Sequence, residues 1–462
     1  MALDLSPTEF RALADQLTSL AAEYLERLDA RPIRPEVSGE QLEHLLGGPA
    51  PRQGRRSEVV ALLRGVVEGA RAQNGRFLGY VMGSGEPAGA AADLLASVLN
   101  QNLTAWRSSP AGVTLERTVV RWLAEAIGCA GFTGSLTGGG SSANLMGLAM
   151  AREAKAPANE RGRAEGVVYA SEQVHMSIPK AVALLGLGRE NLRLVPTDPA
   201  LRLRPDALEA LIARDRAAGR TPIAVVASAG TVATGAIDPL PAVADLAARE
   251  GLWLHVDGAY GALAAMAAPE RFEGLARADS LSLDAHKWLY QAVDCGCLLF
   301  RDRAAARRAF SHTGDYTRSF TEDPLEGFAF FEESLELSRR FRALRLWTSL
   351  QYHGLDAFRD AVRRDLSHAV ALAGAVEREP SLELLAPAGL SAVCFRHRFA
   401  ADADARNLAL LEAVNRRGRV YLSNATVRGC FALRACFVNH RTTDEDVRTV
   451  VDEVLAAARA LG

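Results

Sequence analysis

The chain has 462 residues, 49% hydrophobic and 23% charged, which suits a globular protein with a large core and excludes a disordered or collagen-like one. Lys and Arg number 53 against 55 Asp and Glu, a net charge of -2, so the balance gives no sign of a nucleic-acid partner. Six cysteines are too few for a disulfide framework at this length and suggest a reducing, cytoplasmic setting.

Met1-Ala2-Leu3-Asp4 lacks the basic and apolar regions of a signal peptide. Charges break every apolar stretch well before 18 residues, so no membrane-spanning segment is expected. Ser6-Pro7-Thr8-Glu9 reads as a helix cap with Pro at the first helical position, and Phe10, Leu13, Leu17, Leu20 and Leu25 fall near one face. Arg31-Pro32 through Pro35 breaks that helix. A second helical piece and the loop Gly47-Gly48-Pro49-Ala50-Pro51 follow, then a third helix over 57–73. So short a segment cannot form a core alone and must pack on something else, a second subunit being one option.

From about residue 85 helices alternate with short apolar strands. A helix is expected over 114–127. Thr137-Gly138-Gly139-Gly140-Ser141-Ser142-Ala143-Asn144 then leads into a helix over 145–155, with no clear strand immediately before it. Buried strands are expected over 166–170, 222–229, 253–257, 280–283 and 297–300, with helices over 205–214 and 240–250 between some of them. Near-continuous apolar strands joined by helices describe an α/β fold whose parallel sheet is covered on both faces. Cys295-Gly296-Cys297 has no ligand pair at zinc spacing and reads as core, and no metal is expected. Residues 311–335 read as a polar, Gly-containing loop, long enough to be a lid. A helix-rich, then mixed α/β tail runs from Arg339 to Gly462.

Four features carry chemistry. Glycines ahead of a helix let backbone N–H groups approach an anion, and the helix dipole favours a phosphate there, although an ordinary turn has the same look. Gly138-x-Gly140-x-x-Ala143 also fits a loose dinucleotide pattern, which leaves a nicotinamide-dependent oxidoreductase as an alternative class. Asp257 ends an apolar strand, where α/β proteins bind ligands, and could hold a protonated heterocycle or cap a helix. Lys287, in Asp284-Ala285-His286-Lys287-Trp288, follows another strand and precedes apolar residues. A lysine so placed is either a Schiff-base amine or a snorkelling edge residue. His175 lies beyond the end of a third strand. A phosphate cradle, an acid, a Schiff-base lysine and an aromatic ring together are the set that pyridoxal 5'-phosphate (PLP) needs.

On these residues the chain resembles the group II PLP-dependent amino-acid decarboxylases, which include the aromatic-L-amino-acid, glutamate and diaminobutyrate enzymes. The likeness runs from about Phe77 to Arg441. It is carried by Thr137 to Asn144, His255-Val256-Asp257-x-Ala259-Tyr260, Asp284 to Trp288, Ser338-Arg339-Arg340-Phe341-Arg342-Ala343-Leu344, and the tail Leu433-Arg434 to Arg441-Thr442-Thr443. It implies the fold-type I PLP architecture: an N-terminal helical dimerisation segment (1–84), a large PLP-binding α/β domain (85–345) and a small C-terminal α/β domain (346–462). It also implies a homodimer with active sites at the interface.

The same resemblance implies roles. Lys287 would carry the cofactor, Asp257 would pair with its ring nitrogen, and His175 would stack on the ring. Gly140 and Ser141 would meet the phosphate, with Thr231, Ala259 and His286 as further cofactor contacts. Tyr316 would return a proton to the substrate's alpha carbon; in aldehyde-forming relatives this position is often changed, so Tyr316 favours simple decarboxylation. Asn102, Thr104 and Ser84 would line the substrate side. Polar side chains at Asn102 and Thr104 leave a glutamate-, aspartate- or diaminobutyrate-type substrate open beside an aromatic one, which the larger number of shared motifs favours.

Overall fold

The computed structural model describes residues 3–56, 58–160, 162, 165–312 and 323–461. Three helices open it, Pro7–Glu26, Gly39–Leu46 and Val59–Gly69. The first begins as its sequence requires: Ser6 Oγ accepts from the Glu9 backbone N–H while the Glu9 carboxylate accepts from the Ser6 N–H. Only Leu20 of these three helices is buried, and Phe10, Leu25, Leu46 and Val66 stay exposed on the isolated chain.

The centre is a seven-stranded sheet: β1 (Thr133–Thr137), β2 (Val167–Ser171), β3 (Leu192–Val195), β4 (Pro222–Ser228), β5 (Trp253–Asp257), β6 (Ser280–Asp284) and β7 (Gly296–Phe300). Their spatial order is β1-β7-β6-β5-β4-β2-β3. β6, β5, β4, β2 and β3 run parallel, while β7 is antiparallel to both neighbours, so the sheet is mostly parallel. Both faces are covered, and the period-two alternation shows how. Val167, Tyr169, Val225, Ala227, Leu254 and Val256 pack toward the helices Pro110–Ala126 and Leu240–Glu250. Val168, Ala170, Ala224, Val226 and Trp253 pack toward Gly140–Lys155 and Ser177–Leu184.

Two strands were not anticipated. β1 directly precedes the glycine-rich segment, where no clear strand was expected. Its sequence, Thr-Gly-Ser-Leu-Thr, has no apolar run, and its pairing with β7 outweighs that. β3 is half-exposed at the sheet edge, which weakens its apolar pattern. Cys295 and Cys297 are buried core residues, as expected.

A second, wholly antiparallel sheet follows, ordered β10-β11-β9-β8, from β8 (Leu382–Leu384), β9 (Ala392–His397), β10 (Ser423–Val427) and β11 (Cys430–Cys436). Arg428 and Gly429, both at positive φ, make the two-residue β10–β11 hairpin turn. The helices Leu355–Arg378 and Asp444–Leu461 cover this sheet, and Leu78 from the N-terminal part of the chain enters the same core.

The reading of 311–335 as one polar loop needs correction in its described part. Phe328, Ala329, Phe330 and Phe331 are buried, and Ala329 bridges to Ala105. The Arg339 guanidinium sits 4.1 Å from the Phe330 ring centre and forms a buried ion pair with Glu116. Long-range packing of this kind leaves no periodic trace in the local sequence.

Candidate active site

Parallel strands bring their carboxyl ends to one edge of the sheet, and register aligns what those ends carry. Ser228 at the end of β4 lies beside Asp257 at the end of β5, and Asp257 beside Ser282 in β6. β6 ends on Asp284, which is followed by a single helical turn, Ala285–Trp288, carrying His286 and Lys287. From the other side β1 delivers Gly138 and Gly139 to the start of the helix Gly140–Lys155. These segments enclose a cavity of about 290 Å³ lined by Gly140, Ser141, His175, Thr231, Asp257, Ala259, His286 and Lys287 among others. Every cofactor-contact residue read from the sequence therefore reaches one cavity.

The glycines are sterically required. Gly139 has φ +133°, a conformation side chains disfavour. A Cβ on Gly140 would sit 2.5 Å from Ala259 Cβ and 2.9 Å from Asp284 Oδ2. The backbone thus comes close to the cavity wall at the N-terminus of a 16-residue helix, where N–H groups and the dipole favour an anion. Ser141 is exposed and lines the cavity.

Asp257 is buried and held by three donors: Asn144 Nδ2 at 3.0 Å, Ser282 Oγ at 3.1 Å and the Ala259 N–H at 3.2 Å. Asn144 is shared. Its Nδ2 also donates to Ser177 Oγ at 2.9 Å, and its Oδ1 lies 2.9 Å from His255 Nε2. Since Oδ1 only accepts, His255 must carry its proton on Nε2. Burial pushes the His255 pKa down to about 4, so the ring is neutral at pH 7.

His175 joins the same network. Its Nδ1 meets Ser177 Oγ at 2.8 Å and accepts from the Ser177 N–H at 3.3 Å. Burial lowers its pKa against the opposing pull of Asp257, which favours a neutral ring with the proton on Nε2. Lys287 Nζ lies 2.9 Å from Asp284 Oδ2. The other oxygen, Asp284 Oδ1, is buried with no hydrogen-bond partner among the described residues. His286 Nδ1 sits near the Cys295 carbonyl, and burial lowers its pKa too. Thr231 Oγ1 accepts from the Ala236 N–H at 3.1 Å, which shapes the loop below the cavity.

The donor set fits PLP. A glycine cradle that a single Cβ would fill suits a phosphate. A buried carboxylate with three neutral donors suits a protonated ring nitrogen, and an amine in the cavity wall suits an aldehyde.

The expected substrate-side residues are not brought to this cavity within one chain. Asn102 Oδ1 accepts from the Arg339 N–H at 2.9 Å, and Asn102 lines a separate hollow with Ser338 and Arg340. The Thr104 carbonyl accepts from the Phe331 N–H, and Ser84 Oγ pairs with His440 Nδ1 at 2.8 Å. Asn102 Oδ1, the Thr104 carbonyl and Ser84 Oγ are engaged by neighbours close in space and far in sequence. Tyr316 lies outside the described residues.

Sequence reasoning gave no role to Asn144, Ser282 or Asp284. Asn144 closes the glycine-rich motif, and Asp284 stands three residues before Lys287 on the same turn, so spacing could have marked both. Ser282 had no such signal. Arg434 belongs here as well. It lines a larger hollow of about 630 Å³ that shares His175 and Val232 with the cavity, and its Nη2 is buried without a hydrogen-bond partner among the described residues.

Comparison with known proteins gives four results. Residues 64–398 match the pyridoxal-dependent decarboxylase conserved domain. An aromatic-L-amino-acid decarboxylase of Bacillus atrophaeus is 34% identical over 472 aligned residues, covering 99% of this chain and 97% of that protein. A phenylacetaldehyde synthase of Petunia hybrida is 31% identical, covering 93% and 90%. Among solved structures, a Catharanthus roseus tryptophan decarboxylase in complex with L-tryptophan superposes with a TM-score of 0.90 at 28% identity, covering 99% of each chain.

Proposed function

The chain belongs to the pyridoxal-dependent decarboxylase family, and from that premise we propose that it converts an aromatic L-amino acid to the corresponding amine and carbon dioxide. It is an amino-acid decarboxylase, and its cofactor is pyridoxal 5'-phosphate. When bound, the cofactor supplies an electron sink for the bonding pair left at the alpha carbon as carbon dioxide departs.

This chain's residues do the rest. The N–H groups at the start of Gly140–Lys155, with Ser141, hold the phosphate. Lys287 would hold the cofactor covalently through Nζ, which lies 2.9 Å from Asp284 Oδ2. Asp257 keeps the ring nitrogen protonated, and its three donors hold it in place without adding a competing charge. His175 covers the ring as a neutral imidazole. Arg434, at the edge of the adjoining hollow, attracts the substrate carboxylate electrostatically. Tyr316 returns the proton to the alpha carbon, a role that rests on the resemblance alone. With dissolved dioxygen as the two-electron oxidant that becomes peroxide, replacing Tyr316 with Phe should lower the amine yield and raise aldehyde and peroxide.

The observation that supports the reading is the meeting of Lys287 and Asp257 in one cavity floored by the glycine cradle. The aromatic substrate is supported by the Bacillus and Catharanthus relatives. Aldehyde formation is the second reading, favoured by the Petunia relative. One assay separates them: PLP-loaded protein is incubated with tryptophan, tyrosine, phenylalanine, dopa, glutamate and diaminobutyrate, and carbon dioxide, amine, aldehyde and peroxide are measured. Amine from an aromatic substrate without peroxide is expected. Turnover of glutamate or diaminobutyrate alone would sink the aromatic assignment.

The working unit is a homodimer, with residues 1–84 as a dimerisation segment. The apolar residues its helices leave exposed, among them Phe10, Leu46 and Val66, support this. Sedimentation of a 462-residue monomer at micromolar concentration would overturn it. Six free cysteines support a reducing, cytoplasmic setting. Among the described residues no helix is long and apolar enough to cross a membrane.

A further inference from the structure

Tyr260 belongs to the His255–Tyr260 motif yet has no part in the chemistry above. It is a buried tyrosine on the cavity wall, three residues after Asp257. Its ring stacks on Trp288, the residue after Lys287, with centres 6.0 Å apart and planes 2° from parallel. Its hydroxyl points away from the cavity into the second sheet. There it meets Ser391 Oγ at 2.8 Å, accepts from the Ser391 N–H at 3.2 Å and lies 3.6 Å from Cys436 Sγ. Ser391 immediately precedes β9, and Cys436 ends β11.

The neighbouring backbone is wedged at the same place. A Cβ on Gly261 would fall 2.1 Å from the Ala229 carbonyl oxygen and 2.6 Å from Leu390 Cδ1. The loop 257–261 thus lies between the end of β4 and the entry to β9, with little room to shift. One phenol hydroxyl joins three segments that the sequence keeps far apart.

We propose that Tyr260 is a positioning residue. Through its hydroxyl the docking of the C-terminal sheet sets the placement of Asp257, and through its ring the placement of the turn that bears Lys287. What Asp257 and Lys287 hold rests on the function proposed above; the mechanical link does not.

The link is tested first without cofactor. Tyr260→Phe keeps the stacked ring and removes the hub, and Ser391→Ala removes the hub from the other side, away from the cavity. In the PLP-free full-length protein each should raise amide hydrogen exchange at 257–261 and 285–288 by roughly three- to tenfold, the loss of one buried hydrogen bond. The double variant should exceed neither single one, because both break the same link. In the PLP-saturated protein both should lower kcat by a similar factor with KM unchanged, and alter the visible circular dichroism of the bound cofactor. Tyr169→Phe is the control: it loses a buried hydroxyl contact to Asp215 that does not line the cavity, so it should lower the unfolding temperature and leave kcat alone.

Wild-type exchange and wild-type kcat in Tyr260→Phe and Ser391→Ala would overturn the proposal. So would an equal kcat loss in Tyr169→Phe. If Tyr260→Phe does not fold, Ser391→Ala carries the test by itself. A wild-type protein that bound no PLP would refute the proposed function while leaving the exchange result to decide the link.

Discussion

Asn144 Nδ2 donates to Asp257 Oδ2 at 3.0 Å, joining two residues 113 positions apart. The same amide holds His255 on its other side and Ser177, the partner of His175, on its own. Replacing Asn144 with Leu leaves one oxygen of a buried carboxylate without a donor, a loss of about 1–3 kcal/mol. Cofactor affinity should fall by roughly tenfold, on the lower side of that range. Fluorescence titration of the PLP-free variant with PLP measures it, and unchanged affinity would remove Asn144 from the site.

Lys287→Ala should abolish the yellow colour of the loaded protein. The absorbance above about 400 nm and its bleaching by borohydride both require a lysine-bound cofactor. A variant that kept the band and full turnover would show that another amine does the work.

Gly140→Ala should fold and lose cofactor. Its Cβ would lie 2.5 Å from Ala259 Cβ, so either the helix start or the loop after Asp257 must shift. Overpacking of this kind costs about 1–3 kcal/mol. A thermal melt of the PLP-free form and a PLP titration separate the two effects: a small loss of stability is expected beside a large loss of binding.

Asp365 gives a pH prediction. It is buried, accepts from Tyr290 Oη at 2.8 Å and from the Asn439 N–H at 3.1 Å, and burial raises its pKa from 3.8 to about 7. The nearest titratable neighbours are Tyr290 and His368, whose Nδ1 lies 4.0 Å away, with Arg364 opposing the shift. A carboxyl whose folded pKa is raised binds more protons folded than unfolded, so its stabilising effect is complete below the unfolded pKa and is lost as pH rises toward 7. Inside that window the slope from this one group is about 1.4 kcal/mol per pH unit. In urea unfolding, Asp365→Asn should therefore gain stability relative to the native chain as pH rises from 4 to 7. Parallel curves would mean that Asp365 does not titrate as its burial implies.

Reading the sequence recovered the strands that bear the site, because buried parallel strands are near-continuous apolar runs with chemistry at their ends. Trp253–Asp257 and Leu240–Glu250 appear with the expected bounds. β1 and β3 escaped for opposite reasons: β1 is buried yet polar in sequence, and β3 lies at an edge. Lys287, Asp257, His175 and the glycine cradle were legible because each sits at an abrupt change of pattern. Ser282 was not, because its hydrogen bond to Asp257, 25 positions away, leaves no local mark.

The sequence by itself determined the fold class and the cofactor, since local patterning and motif chemistry are enough for these. Only the tertiary structure decided that Asn144 links Asp257 to Ser177, the partner of His175, and that Asn102, Thr104 and Ser84 do not line the cavity of their own chain. It also decided that Tyr260 spans two sheets. The reason is physical: side-chain direction and long-range hydrogen bonds depend on how separate elements dock, and that information is spread over the whole chain.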